Sequence, residues 1–297
     1  MARATKKRAV LIAGPTASGK SALALEKARE MGGVVVNTDA MQVYGVLRVV
    51  TARPAEAEMA GVPHRLYGFV DPATRFSTGA WLAATARTIS ENEGRPLIFA
   101  GGTGLYFDAL ERGFAEVPPV PPDIVAKVER ELGGLDAEGR RRLLKARDPE
   151  MAARLQAPDP QRVTRALAVL AATGQSLARF QDRTQRGLLD GFSVERIVLD
   201  PDRDVLRARI AARFSRMFEE GAVEEVRALL ALDLDPSLPA MKAIGIREIG
   251  DWLAGEIDRE GAIERAVIAT RQYSKRQRTW FRNRMSGWRF LGPAATK

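Results

Sequence analysis

The run LIAGPTASGKSALAL, Leu11 to Leu25, contains Gly14-x-x-x-x-Gly19-Lys20-Ser21. Residues of these types at this spacing make a phosphate cradle. The glycine-rich turn and the helix behind it aim backbone N–H groups at an anion, the lysine reaches a terminal phosphate, and the serine hydroxyl binds Mg²⁺. Gly14, Pro15, Thr16, Ala17, Ser18, Gly19, Lys20 and Ser21 form the candidate diphosphate- or nucleotide-binding set, ATP included, with Ser21 as metal ligand and Mg²⁺ as expected cofactor.

A triphosphate hydrolase also needs a strand-end acid for the metal and a group that positions water. The segment RPLIFAGG ends without a carboxylate, whereas VVVNTDA ends in Asp39, suited to hold a metal or to act as a base. Machinery for splitting water is not evident. Arg213 is the other group with chemical potential. In DVLRARIAARFSRMFEEG, Leu206, Ile210, Phe214, Met217 and Phe218 form one helical stripe, and Arg213 falls on its edge. A guanidinium leaning on a core needs an anion, either a phosphate in the cradle or a structural carboxylate.

The elements that must position these groups follow from periodicity. RAVLIAGP, GGVVVNTDA, RPLIFAGGTG and VERIVLD are short apolar runs alternating with helical segments. That pattern predicts a parallel sheet with helices on both faces, a P-loop NTPase-like α/β core. Ligands collect at the carboxyl ends of such strands, where Ser21, Asp39 and Thr103 stand. The proline-rich EVPPVPPD, Glu116 to Asp123, is a stiff connector, and the arginine-rich stretch after it lacks a convincing strand. Asp159-Pro160 reads as a helix start and Gly174 as a stop. The expected organisation is a core of residues 1–116 and 195–297 carrying an inserted all-helical domain, 117–194.

The chain has 297 residues, 45% of them hydrophobic, enough for two domains. It has no cysteine and a single histidine, His64, which excludes disulfides, thiolate metal sites and histidine-rich zinc sites. His64 reads as structural. No apolar run approaches a bilayer span, and the basic N-terminus lacks a secretory apolar segment, so a cytoplasmic protein with no membrane partner is expected. The net charge is +9, and from Arg271 to Lys297 there is no acid among many Lys and Arg. A one-sign block of this kind points to a polyanion. Arg271, Lys275, Arg278 and Arg282 recur at i, i+4, i+7 and i+11, one helical stripe suited to phosphates, with Trp280 and Phe281 reading as core.

The set GPTASGKSALA, NTDAMQVY, TARP, VPHRLYGFVDP, LIFAGGTGLYFDAL, DPQRVTRALAVL, ARFSRMFEEG, LPAMKAIGIREI and ATRQYSKRQRTWFR resembles, in order and spacing, the tRNA dimethylallyltransferase (tRNA isopentenyltransferase) family. The resemblance runs from about Ala9 to Phe281. It implies transfer of a dimethylallyl group from dimethylallyl diphosphate to the exocyclic amine of the adenine beside the tRNA anticodon, with diphosphate released. The cradle would hold the leaving group, with Lys20, Arg213 and Mg²⁺ on Ser21 stabilising its charge. Asp39 would be the general base that orients the amine, and Thr103 would touch the target nucleotide. The resemblance assigns tRNA contacts to Asp39, Ala40, Met41, Gln42 and Thr103 and to Gln161, Arg162, Val163, Thr164 and Arg165. In that last stretch Val163, Leu167 and Leu170 share one helix face while Gln161 and Arg165 point away. Ala40 stands where the family usually has Ser, Val50-Thr51-Ala52-Arg53-Pro54 where it has Gly-Thr-Ala-Lys-Pro, and Ile246 where it has an aromatic. A monomer is expected. The competing readings are a P-loop small-molecule kinase, which leaves the basic stripe and helical insert without a task, and an RNA-binding ATPase module, which leaves Asp39 and Arg213 without one.

Overall fold

The computed structural model describes residues 7–155, 159–183 and 186–292; Lys297 of the basic block and the N-terminal basic residues 1–6 lie outside them. Strands β1 (Arg8–Ala13), β2 (Val34–Asn37), β3 (His64–Arg65), β4 (Leu97–Gly101), β5 (Ser193–Leu199) and β6 (Arg289–Leu291) form one sheet in the order β3-β2-β4-β1-β5-β6. Every pairing is parallel, with Ala9 opposite Leu97 and Val194, and Val36 opposite Phe99. The central strands are buried almost throughout because helices cover both faces, which is why they read as unbroken apolar runs. The two edge strands have only two and three residues. They are too short to produce an alternation that a sequence pattern could detect, and sequence analysis expected four strands rather than six.

The helices are α1 (Lys20–Met31), α2 (Glu56–Met59), α3 (Thr78–Glu91), α4 (Gly104–Arg112), α5 (Pro122–Leu132), α6 (Ala137–Arg147), α7 (Pro149–Arg154), α8 (Pro160–Thr173), α9 (Leu177–Asp182), α10 (Arg203–Glu219), α11 (Ala222–Leu230), α12 (Ile246–Leu253) and α13 (Arg259–Arg284). Two compact units result. One comprises the described residues up to Leu110 and from Leu189 onward; the other comprises those of Glu111–Leu188. The boundaries therefore precede the expected 117 and 194 by six residues. Val117 and Val120 of the proline-rich connector pack on the helical core, as an insert from 117 requires, and the unit also takes in the end of α4 from Glu111.

The helical unit has no strand among its described residues. Its core is Val128, Leu132, Leu144, Met151, Val163, Leu167 and their neighbours. Asp159 caps α8 by accepting the Arg162 N–H, Pro160 opens the helix, and Gly174 closes it at φ 68°, all as the residue types dictate. Val163 and Leu167 are buried and Gln161, Arg162 and Arg165 exposed, with Thr164 between. In the α/β unit, α10 buries Leu206, Ile210, Phe214, Met217 and Phe218, the stripe read from the sequence.

Candidate active site

The glycine loop leaves β1 at Ala13 and enters α1 at Lys20. Ala17 and Gly19 both have positive φ, 65° and 92°. Alternation of left-handed and ordinary backbone turns successive N–H groups inward, the geometry of an anion nest. Ala17 holds that conformation without glycine's freedom, at a cost of roughly 1–2 kcal/mol. Behind the nest, Lys20 Nζ reaches only the Pro15 carbonyl, at 3.3 Å. Burial pushes its pKa down to about 8, with the Arg213 charge pushing the same way and Asp39 opposing both. Arg213 enters from α10. Burial lowers it to about 10, again against Asp39, and its Nε is buried without a hydrogen-bond partner. Among the described residues no carboxylate stands within ion-pair distance of it. Of the partners the sequence allowed, the Asp39 carboxylate acts on it through its charge without forming an ion pair. Lys20, Ser21, Arg213, Ala17, Ser18 and Gly19 line one cavity of about 860 Å³.

Asp39 follows the end of β2, in the turn that β4 closes. Asn37 is fully buried and clasps this turn: Asp39 N–H donates to Asn37 Oδ1 at 2.9 Å, and Asn37 Nδ2 donates to Asp39 O and Leu66 O. Asp39 Oδ1 accepts the Met41 N–H at 2.9 Å, which aims the carboxylate and leaves Oδ2 for other work. Thr103 Oγ1 accepts the Ala40 N–H at 2.9 Å, and the Thr103 N–H donates to Thr38 O at 3.2 Å. A Cβ on Gly101 would fall on Thr38 O, so only glycine lets the two strand ends approach this closely. Tyr273 of α13 lies beside Thr103. Burial, with the Asp39 charge adding to it, raises the pKa of Tyr67, Tyr106 and Tyr273. Asp39 is thus near three neutral phenols and two cations, Lys20 and Arg213.

Sequence reasoning missed several members of this site. Gln277 donates from Nε2 to Gly102 O and accepts the Thr16 N–H on Oε1, tying α13 to both the loop and the end of β4. Tyr273 and Gln277 lie on a buried polar stripe of α13 with Thr270 and Ser274. That stripe runs one residue before the cations, on the adjoining helix face, and nothing in it named a partner. A Cβ on Gly104 would fall on the Trp280 indole, so the aromatic also packs against the site. Phe281 is core, as read.

The remaining candidates divide. Gln42 lines the cavity and donates to Thr51 O and Ala52 O, while Val43 and Tyr44 behind it are fully buried. Met41 is half-buried. His64 donates from Nδ1 to Val62 O, and burial lowers its pKa, which makes it neutral and structural at the cavity wall. On α13, Arg271 and Lys275 are exposed and have no acidic partner among the described residues. Arg278 and Arg282, by contrast, converge on Asp200 at 2.6 and 2.9 Å, and the Arg278 and Asp200 side chains are each only 14% exposed. The Arg278 contact is an ion pair without hydrogen-bond alignment, since Arg278 Nε and Asp200 Oδ1 both lack a hydrogen-bond partner. Gln161 to Arg165 belong to the helical unit, whereas Lys20, Asp39, Thr103 and Arg213 belong to the α/β unit.

The IPP transferase family model matches residues 42–284. The chain is 51% identical over 282 residues to the tRNA dimethylallyltransferase of Chelativorans sp. (strain BNC1), covering 94% of this chain and 96% of that protein. It is 52% identical over 292 residues to that of Methylobacterium sp. (strain 4-46), covering 97% and 95%. Among solved structures it is similar to the full-length tRNA isopentenylpyrophosphate transferase of Bacillus halodurans, with TM-score 0.68, 32% identity and coverage of 97% and 90%. It is also similar to a eukaryotic dimethylallyltransferase crystallised acting on tRNA, with TM-score 0.80, 26% identity and coverage of 96% and 74%.

Proposed function

The chain belongs to the IPP transferase family, and on that premise we propose that it transfers a dimethylallyl group from dimethylallyl diphosphate to the exocyclic amine of the adenine beside the tRNA anticodon. The observation that carries the donor assignment is Arg213. A half-buried arginine whose Nε is buried and unpartnered, next to a lysine held only by a carbonyl, is a site waiting for an anion. Two desolvated cations and the inward N–H groups of the glycine loop favour the charge that grows on diphosphate as the allylic carbon–oxygen bond breaks.

In this reading the adenine nitrogen attacks the allylic carbon, the carbon–oxygen electron pair leaves with diphosphate, and Asp39 Oδ2 accepts the amine proton. The Met41 N–H holds the other oxygen, so the carboxylate is oriented before substrate arrives. Thr103 keeps the Asp39 turn against β4. Mg²⁺ fits through Ser21 Oγ. Among the described residues no cluster of three His, Cys, Asp or Glu could hold a metal, which suits a hard ion that keeps its waters and is carried by substrate phosphates. There the metal would neutralise diphosphate charge.

The adenine must leave its stack to reach a strand mouth, at a cost of a few kcal/mol. Arg271 and Lys275 on α13, and Gln161, Arg162 and Arg165 on α8, are exposed groups suited to hold the RNA while it does so. No helix among the described residues is long and apolar enough to cross a membrane. In this reading a monomer suffices, because cradle, base and cations all come from one chain's α/β unit.

The test mixes the protein with tRNA and labelled dimethylallyl diphosphate. Label should move to RNA without ATP. ATP-dependent phosphorylation of a small molecule would instead make it a kinase, and salt-sensitive RNA binding with neither reaction would make it a binding module.

A further inference from the structure

The cavity has a second wall that the family chemistry does not explain. Opposite the glycine loop it is lined by Arg48, Val49, Ala52 and Arg53. Three consecutive backbone N–H groups of this loop, those of Arg48, Val49 and Val50, all point at one carboxylate, Glu225 in the first turns of α11. Arg48 N donates to Oε1 at 3.0 Å, Val49 N to Oε1 and Oε2 at 2.7 and 2.8 Å, and Val50 N to Oε2 at 3.1 Å. Successive amides turned to one point are an anion nest, here filled by a side chain 175 to 177 residues away.

The loop's other side is fastened as firmly. Gln42 Nε2 donates to Thr51 O and Ala52 O, Arg53 N returns to Arg48 O at 2.9 Å, and Ala52 is held at φ 51°. Arg53 Nη2 donates to Gly45 O at 2.9 Å, and burial lowers the Arg53 pKa while the Glu225 charge works against that. The helix before α11 is α10, which carries Arg213, Arg216 and Met217 into the same cavity. Glu225 therefore joins the α10–α11 side of the cavity to the loop that faces it.

We propose that Glu225 is a positioning residue for the prenyl diphosphate: by holding the amides of Arg48, Val49 and Val50 it keeps Arg48, Val49, Ala52 and Arg53 in the cavity wall facing Lys20 and Arg213. A turn that only needed an acceptor could use a neutral one. A carboxylate makes stronger bonds to three amides, and its charge offsets part of the burial cost of the neighbouring Arg53. This rests on the reading of the glycine loop as a diphosphate cradle.

The experiment compares wild type with Glu225→Gln and Glu225→Asp. It measures donor KM at saturating tRNA, tRNA KM at saturating donor, binding of inorganic pyrophosphate by calorimetry, and amide hydrogen exchange at residues 48–50. In Glu225→Gln an amide NH₂ faces backbone donors, so exchange should speed up, and donor KM and pyrophosphate Kd should rise about tenfold. The kcat and tRNA KM should hold. Glu225→Asp keeps the charge at shorter reach and should fall between wild type and Glu225→Gln. If Glu225→Gln does not fold, Glu225→Asp decides alone: faster exchange with wild-type donor KM overturns the proposal. Pyrophosphate binding by wild type and equal binding by a folded Glu225→Gln overturns this inference only. A wild type that binds no pyrophosphate removes the donor reading and this inference with it.

Discussion

Gln277 holds the Thr16 N–H at 3.0 Å from α13 and, with its amide nitrogen, the carbonyl of Gly102 at 2.9 Å. One buried side chain thus joins the helix bearing the basic stripe to the phosphate loop and to the end of β4. Gly102 must be glycine for this, because a Cβ there would fall on Gln277 Nε2. Gln277→Ala should destabilise the protein by about 1–3 kcal/mol for each partner left unpaired and buried. It should also raise donor KM more than tRNA KM. Urea unfolding and steady-state kinetics check both, and a variant as stable as wild type would mean the two hydrogen bonds contribute nothing net.

Asp39→Asn keeps an acceptor for the Met41 N–H and removes only basicity. Transfer should fall about 10²- to 10⁴-fold, with tRNA affinity and melting temperature held. Asp39→Ala should lose the turn contact as well and melt lower. An active Asp39→Asn would show that the carboxylate only caps its turn.

Lys20 is the pH-sensitive group. Its folded value, about 8, lies below the unfolded 10.5, so the unfolded chain holds more protons between these limits. The cost to stability is full below about pH 8 and is relieved as pH rises toward 10.5. It is on the order of 3 kcal/mol. Lys20→Met should therefore stabilise the ligand-free protein at pH 7, by a margin that shrinks above pH 8, while abolishing pyrophosphate binding. In wild type, kcat/KM for the donor should fall above pH about 8, where free Lys20 loses its charge. Equal melting temperatures for the two proteins at pH 7 would contradict the burial cost.

The α13 stripe should behave as two pairs. Arg271→Ala and Lys275→Ala should each lower the salt slope of tRNA binding by about one, with stability unchanged. Arg278→Ala strips a largely buried partner from Asp200 and should cost stability first, with Arg282 left as the only cation there. Salt titrations of tRNA affinity and thermal melts separate the two pairs. A full slope change without destabilisation in Arg278→Ala would reverse their assignment.

Chain-local physics made much of this molecule legible in its sequence. The cradle Gly14 to Ser21 is a contiguous run, the central strands are apolar because both faces are covered, and α8 and α10 declare their buried faces by helical period. The caps Asp159 and Gly174 act within one turn of their own helix. The edge strands were not legible, since two or three residues carry no period. Neither were the unit boundaries to within six residues, because tertiary contacts decide to which unit the end of α4 and the segment after Leu188 belong.

What only the tertiary structure decided is which distant residue meets which. Gln277 reaches Thr16 across 261 residues, and Glu225 reaches Val49 across 176. A glutamine on a helix and a glutamate on another carry no sign of a partner in their own neighbourhoods. The sequence required an anion for Arg213 and left its nature open; packing sets the side chain in the cavity beside the cradle, with no ion-paired carboxylate among the described residues. Local pattern encodes the period and the cap, whereas the long-range pairing of buried polar groups is settled when the sheet and its helices close around them.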